Sequence, residues 1–148
     1  MYKHILVALD GSDTSDLALQ EAIKLAREME SQLRIVHVVD FAAPNWDTEF
    51  INVVEILEAM SKSGEAILNK ASSVALEAGI TAETRLMKIE SLGQRINEAI
   101  AEEADKWPAD LIVLGTHGRR GFSHLLQGSV AEGVVRVATK PVLLIRGK

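Results

Sequence analysis

Along this chain, five short runs of apolar and β-branched residues alternate with four stretches patterned for helices, and that alternation limits the fold more than any other feature. The runs are His4 to Leu9, Leu33 to Val39, Ile80 to Met87, Asp110 to Leu114 and Val142 to Ile145. Between the first two, Ser12 or Asp13 caps a helix that runs to about Glu30, with Leu17, Ala18, Ala22, Leu25, Ala26 and Met29 at helical spacing. The longest helical pattern carries Phe50, Val53, Leu57, Met60, Gly64, Leu68, Ala71 and Ala75 toward Ala78, and Gly79 is placed to end it. Further helices are expected from about Leu92 to Glu103 and from Ser129 to Ala138. Leu33 to Val39 is apolar almost throughout, as a strand covered on both faces is, whereas Ile80 to Met87 alternates and reads as a strand nearer an edge. Strict strand–helix alternation implies parallel strands joined by helical crossovers, hence a doubly wound, Rossmann-like three-layer α/β sandwich. In such sheets ligands lie beyond the carboxyl ends of the strands, where the strand order reverses. Leu9-Asp10-Gly11 and Leu114-Gly115, where apolar strands run into polar or glycine residues, line one crevice if the first and fourth strands are neighbours.

With 148 residues, the whole chain, 1–148, is expected to form one domain. The 47% hydrophobic and 25% charged content suits a folded globular protein rather than a disordered one. The lack of cysteine excludes disulfides, a cysteine zinc site and a thiol nucleophile. The apolar run Ile5 to Leu9 is too short for a signal-peptide core, and no stretch approaches the ~20 apolar residues of a membrane span, so a cytoplasmic protein not embedded in a membrane is expected.

A net charge of −5 disfavours nucleic acid as a partner. The charge is uneven, however: Gly115 to Ala131 holds no Asp or Glu but contains His117, Arg119, Arg120 and His124, which suits a small anionic ligand. Within that window Gly115-Thr116-His117-Gly118, nine further residues and then Gly128-Ser129 form the most specific pattern in the chain. Gly115 at a strand end lets a ligand approach the backbone, Gly118 permits a tight turn, and Gly128-Ser129 would open a helix whose free amides favour phosphate. Three turn glycines and a serine cap are the alternative reading. No P-loop and no G-x-G-x-x-G follow the first strand.

These residues carry a resemblance to the universal stress protein family, in its ATP-binding subgroup. Gly115, Gly118, Gly128 and Ser129 fit each position of the family's G-x2-G-x9-G-[S/T] motif. The opening Ile5 to Ser12, the segment His37-Val38-Val39-Asp40 and the ending Lys140 to Ile145 are similar as well, so the likeness covers the first strand to the last. The resemblance implies a five-stranded parallel sheet of order 3-2-1-4-5 with four helices, and ATP, with or without Mg²⁺, as the ligand. It implies that Ala8 and Leu9 line the pocket wall and that Asp10 faces the ribose or adenine. Val38 would meet adenine, and Leu114 and Gly115 would pack along the nucleoside. His117 and Gly118 would begin the phosphate path, and Gly128, Ser129 and Val130 would close it. Apart from the resemblance, Arg119 and Arg120 read either as residues that steer or touch phosphate or as solvated arginines. Where this chain has Ala131, some ATP-binding members carry a hydroxyl residue near the terminal phosphates or metal, which makes binding a stronger expectation than hydrolysis.

The function expected is that of a stress-response or regulatory protein whose ATP-bound state biases conformation, assembly or partner binding. A slow Mg-dependent ATPase or phosphoryl-transfer enzyme is the alternative, and a nucleotide-free interaction domain a third reading. The resemblance also implies a homodimer or higher oligomer through the last strand, and a regulated protein such as a transporter as a further partner. His4, His37 and His124 show no metal-ligand spacing and read as structural, and Trp107 beside Pro108 reads as a packing anchor. His117 has no sequence partner that would make it a general base, and Trp46 either lids the pocket or packs a loop.

Overall fold

The computed structural model describes residues 1–41, 53–91, 93–116 and 125–147. Its elements follow the alternation in the sequence: β1 (His4–Ala8), α1 (Asp13–Met29), β2 (Gln32–Asp40), α2 (Val53–Glu77), β3 (Glu83–Ile89), α3 (Ile96–Lys106), β4 (Leu111–Thr116), α4 (Leu125–Val137) and β5 (Val142–Arg146). All strand pairs are parallel and the order is β3-β2-β1-β4-β5.

The ends of these elements have local causes. Ser12 is the cap of α1, with extended backbone and a side chain that accepts the Ser15 amide at 3.2 Å. α2 closes in a Schellman turn: Gly79 adopts φ +88, its amide donates to the Leu76 carbonyl, and the Ile80 amide donates to the Ala75 carbonyl. That closure consumes Ile80, so β3 starts at Glu83, later than the expected Ile80. α3 also starts later than expected, at Ile96, because Gly93 takes φ +96 and the chain turns into the helix only where the Arg95 amide donates to the Glu98 carboxylate at 2.9 Å. Leu92 lies outside the described residues. α4 starts earlier than expected, at Leu125, so Gly128 and Ser129 are its fourth and fifth residues rather than its opening. A lone glycine inside a helix costs only about 1 kcal/mol, and Gly128 does not stop this one.

The sheet is covered on both faces. Ile5, Val7, Leu33, Ile35 and Val113 pack beneath α1 and α2 residues such as Leu19, Ile23, Leu68 and Ala75, while Leu6, Val36, Ile112 and Leu114 pack beneath Ile100, Ala104 and Val134 of α3 and α4. α2 sits close to the sheet at Gly64, where a Cβ would come 2.7 Å from Leu86 Cδ1 and 2.8 Å from the His37 ring. Burying both faces of a parallel sheet is the main stabilisation here, at about 25 cal/mol per Å² of apolar surface removed from water.

At the amino-terminal rim of the strands a polar cluster ties elements together. Glu103 of α3, only 4% exposed, accepts from Arg34 Nη1 of β2 at 2.5 Å and lies 3.3 Å from Arg85 Nε of β3. Arg34 also donates to Glu83 at 2.7 Å and lies 5.0 Å from the Trp107 ring centre. Trp107 meets His4 edge-on, the packing role expected of it. Asp110 accepts from the Lys3 and His4 amides at 2.8 and 2.9 Å, which fixes the start of β1 against the start of β4.

Candidate functional site

Strand order reverses between β1 and β4, and the segments leaving their carboxyl ends lead to helices on opposite faces, α1 on one and α4 on the other. The divergence opens a crevice, as doubly wound sheets do at this point. It holds a cavity of about 170 Å³. From β1 and the turn after it come Ala8, Leu9 and Asp10; Val38 comes from β2, and Leu114 and Gly115 from β4. α4 contributes Val130 and Ala131, and α3 contributes Ile96 and Ile100. Ser12, Thr14 and Ser15 complete the wall from the first turn of α1.

The corner after β1 is held at several points. The Leu9 amide donates to the Val36 carbonyl at 2.9 Å, and the Leu9 carbonyl accepts from His37 Nδ1 at 2.7 Å. Asp10 Oδ1 accepts the Ser12 amide at 2.9 Å, and Gly11 takes φ +86, where an L side chain would be strained. The Ser15 hydroxyl donates back to the Ser12 carbonyl at 2.9 Å. Asp10 itself is exposed and is the one carboxylate on the described wall. The rest of the wall is mostly aliphatic, which suits the flat face of a ring more than a bare anion.

Seven of the residues singled out from the sequence thus meet around one cavity: Ala8, Leu9, Asp10, Val38, Leu114, Gly115 and Val130. His117, Gly118 and Arg119 lie outside the described residues, as do Trp46 and His124, while Gly128 and Ser129 belong to α4 immediately before Val130 and Ala131. Gly115 faces a protein neighbour as well as the cavity. A Cβ there would come 2.7 Å from the Thr14 carbonyl oxygen and 2.8 Å from Thr14 Cγ2, so its bare Cα first of all admits the opening turn of α1. Sequence reasoning missed Ser12, read only as a cap, and Thr14, Ser15, Ile96 and Ile100 as wall residues. The spacing of Ile96 and Ile100 marks the apolar side of their helix, but the sequence does not say which turn of a covering helix overhangs the end of a sheet. Among the described residues no three His, Cys, Asp or Glu side chains gather to hold a metal ion.

The model of the universal stress protein family matches residues 1–146. This chain belongs to the universal stress protein family. Among its relatives, universal stress protein MJ0531 of Methanocaldococcus jannaschii is 35% identical over 99% of this chain and 83% of its own length. Universal stress protein YxiE of Bacillus subtilis is 35% identical over 99% of this chain and 100% of its own. A solved universal stress protein family structure from Burkholderia pseudomallei superimposes with a TM-score of 0.80 at 34% identity, covering 97% of this chain and 96% of its own. Two further family structures were solved with nucleotides. One, in complex with cAMP, has a TM-score of 0.72 at 27% identity, covering 97% of each chain. The other, from Archaeoglobus fulgidus in complex with dAMP, has a TM-score of 0.68 at 29% identity, covering 97% of this chain and 98% of its own. The sheet order of the family fold is the one found here. Among the described residues no helix is long and apolar enough to cross a membrane.

Proposed function

We propose that this chain binds an adenine nucleotide, ATP foremost, in the crevice between β1 and β4, and that occupancy biases its conformation, assembly or partner binding. The reading takes residues 1–148 as one nucleotide-binding domain. The observation that carries it is the meeting of Ala8, Leu9, Asp10, Val38, Leu114, Gly115 and Val130 around one cavity at the strand-order reversal. The cAMP and dAMP held by two family members support an adenine nucleotide as the ligand class.

The wall fits that ligand. An adenine ring would lie among Val38, Leu114, Ile100 and Val130, with its flat faces against aliphatic groups. Asp10, exposed and held by the Ser12 amide, is a carboxylate that would accept from ribose hydroxyls. Gly115, His117, Gly118 and Arg119 would lead the phosphates toward Gly128, Ser129 and the amino-terminal end of α4, whose first amides have no partner within the helix. Mg²⁺ would arrive on the phosphates, since it keeps its waters and takes few protein ligands. A ligand shifts a conformational balance only through unequal affinity for two states, so the regulatory part of the proposal requires a bound form distinct from the free one. We further propose that the chain works as a dimer through β5, at the sheet edge, where Leu144 is 41% exposed.

Calorimetric titration with ATP, ADP, cAMP and GTP, together with nucleotide analysis of the purified protein, tests the reading. Adenine nucleotides bind and GTP binds more weakly, and Gly128→Val weakens ATP by at least about tenfold, or ~1.4 kcal/mol, with the fold retained. No co-purified nucleotide and no heat with millimolar ATP would end the proposal. Phosphate release measured with and without Mg²⁺ separates a binding module, which stays at background, from a slow ATPase.

A further inference from the structure

His37 does not line the crevice, yet one of its ring nitrogens is bound to the crevice wall. Side chains alternate along β2, so Val36 and Val38 face α3 and α4 while His37 faces α2. β1 leaves the sheet at this level. Ala8 is opposite Val36, and the Leu9 amide reaches the Val36 carbonyl. The Leu9 carbonyl is then taken by a side chain, His37 Nδ1, at 2.7 Å. A carbonyl only accepts, so Nδ1 carries the proton and donates. The half-buried ring fits because α2 presents a glycine to it: a Cβ on Gly64 would come 2.8 Å from His37 Cδ2. Helix, ring and strand end therefore form one stack, with Leu9 and Asp10 at its tip.

We infer that His37 is a positioning residue of the nucleotide site, which holds the Leu9 carbonyl so that the Leu9–Asp10 peptide presents the Asp10 carboxylate to the crevice. This rests on the reading proposed above. Leu9 is gripped from both sides, its amide by Val36 and its carbonyl by the imidazole, and the next peptide bonds lead into Gly11 at φ +86 and the Ser12 cap. Without the imidazole the carbonyl loses a partner in a half-buried place, and the peptide is free to rotate. The site then loses the fixed direction of its one described carboxylate. His37 thus acts through Leu9, and not by contact with the ligand.

The test compares His37→Leu, which removes the donor, with His37→Asn, whose Nδ2 stands where Nδ1 stood. ATP affinity falls by about tenfold in His37→Leu and stays within about threefold of wild type in His37→Asn. Equal affinity in all three proteins overturns the inference, and so does an equal loss in both variants, since packing alone would then account for it. A nitrogen-15 spectrum of the wild-type imidazole above its titration range shows the Nδ1–H tautomer; the Nε2–H tautomer overturns the inference independently of any nucleotide. Should wild type bind no nucleotide, the proposed function fails. The positioning claim is then read from amide hydrogen exchange at Leu9 and Ser12, about tenfold faster in His37→Leu and restored in His37→Asn. Unchanged exchange in that experiment overturns it.

Discussion

Asp110 shows how one side chain couples charge to the fold. The Lys3 and His4 amides that donate to its carboxylate hold its pKa below the ordinary aspartate value; burial opposes them, and lesser attractions to the His4 ring and Lys140 add to the lowering. A carboxylate with a lowered folded pKa adds stability that is complete above the unfolded value and fades as pH falls through the folded one. Asp110 is 43% exposed, so solvent screening keeps the contribution modest. Asp110→Ala is expected to lower the unfolding free energy by about 1 kcal/mol at pH 7, and the difference from wild type shrinks as pH falls below the aspartate range. Urea denaturation at neutral and acidic pH checks both parts. Of the residues near the crevice, Asp10 and Gly115 were legible from sequence because each interrupts an apolar strand at its end. Thr14 was not, since its contact with Gly115 joins segments about 100 residues apart and leaves no trace in local pattern.

At the scale of elements, α3 is fastened to the sheet by a buried carboxylate. Burial works against the charge of Arg34, but hydrogen bonds and attraction from Glu83 and Glu103 outweigh it and leave the guanidinium above its ordinary value. Removing Glu103 leaves the partly buried Arg34 with Glu83 as its remaining carboxylate and strips Nη1 of its acceptor, an incomplete pairing that costs more than a surface ion pair does. Glu103→Ala is expected to cost about 2 kcal/mol in urea denaturation, and a loss below about 1 kcal/mol would mean that water and Glu83 together satisfy Arg34. The sequence placed Glu103 only at the expected end of a helix, because two arginines from two strands converge on it through tertiary structure alone. Element identity was readable throughout, by apolar period and by the terminators Gly79 and Ser12. Element ends were less so. The Schellman closure at Gly79 and Ile80 and the turn at Gly93 each delayed the element that followed, and Gly128 inside α4 failed to act as the break that glycine often signals.

For the molecule as a whole, the open edge at β5 sets the expected assembly. Leu144, Val135 and Val137 are 41%, 50% and 45% exposed along β5 and the neighbouring end of α4, an apolar stretch beside unpaired strand groups. The proposed dimer through this edge is expected in light scattering at micromolar concentration, and Leu144→Arg shifts it to monomer with the circular dichroism spectrum unchanged. A monomer in the wild type at that concentration rules the edge out as the interface. The two rims of the sheet carry different duties. The polar fastening of Arg34, Glu103 and Asp110 gathers where the strands begin, and the cavity lies where they end. Such a division uncouples durability from selectivity: a library randomised at Asp10, Val38, Ile96 and Val130 will retain mostly folded clones, because the chassis that keeps the protein intact is built at the opposite pole from the part that meets its cargo.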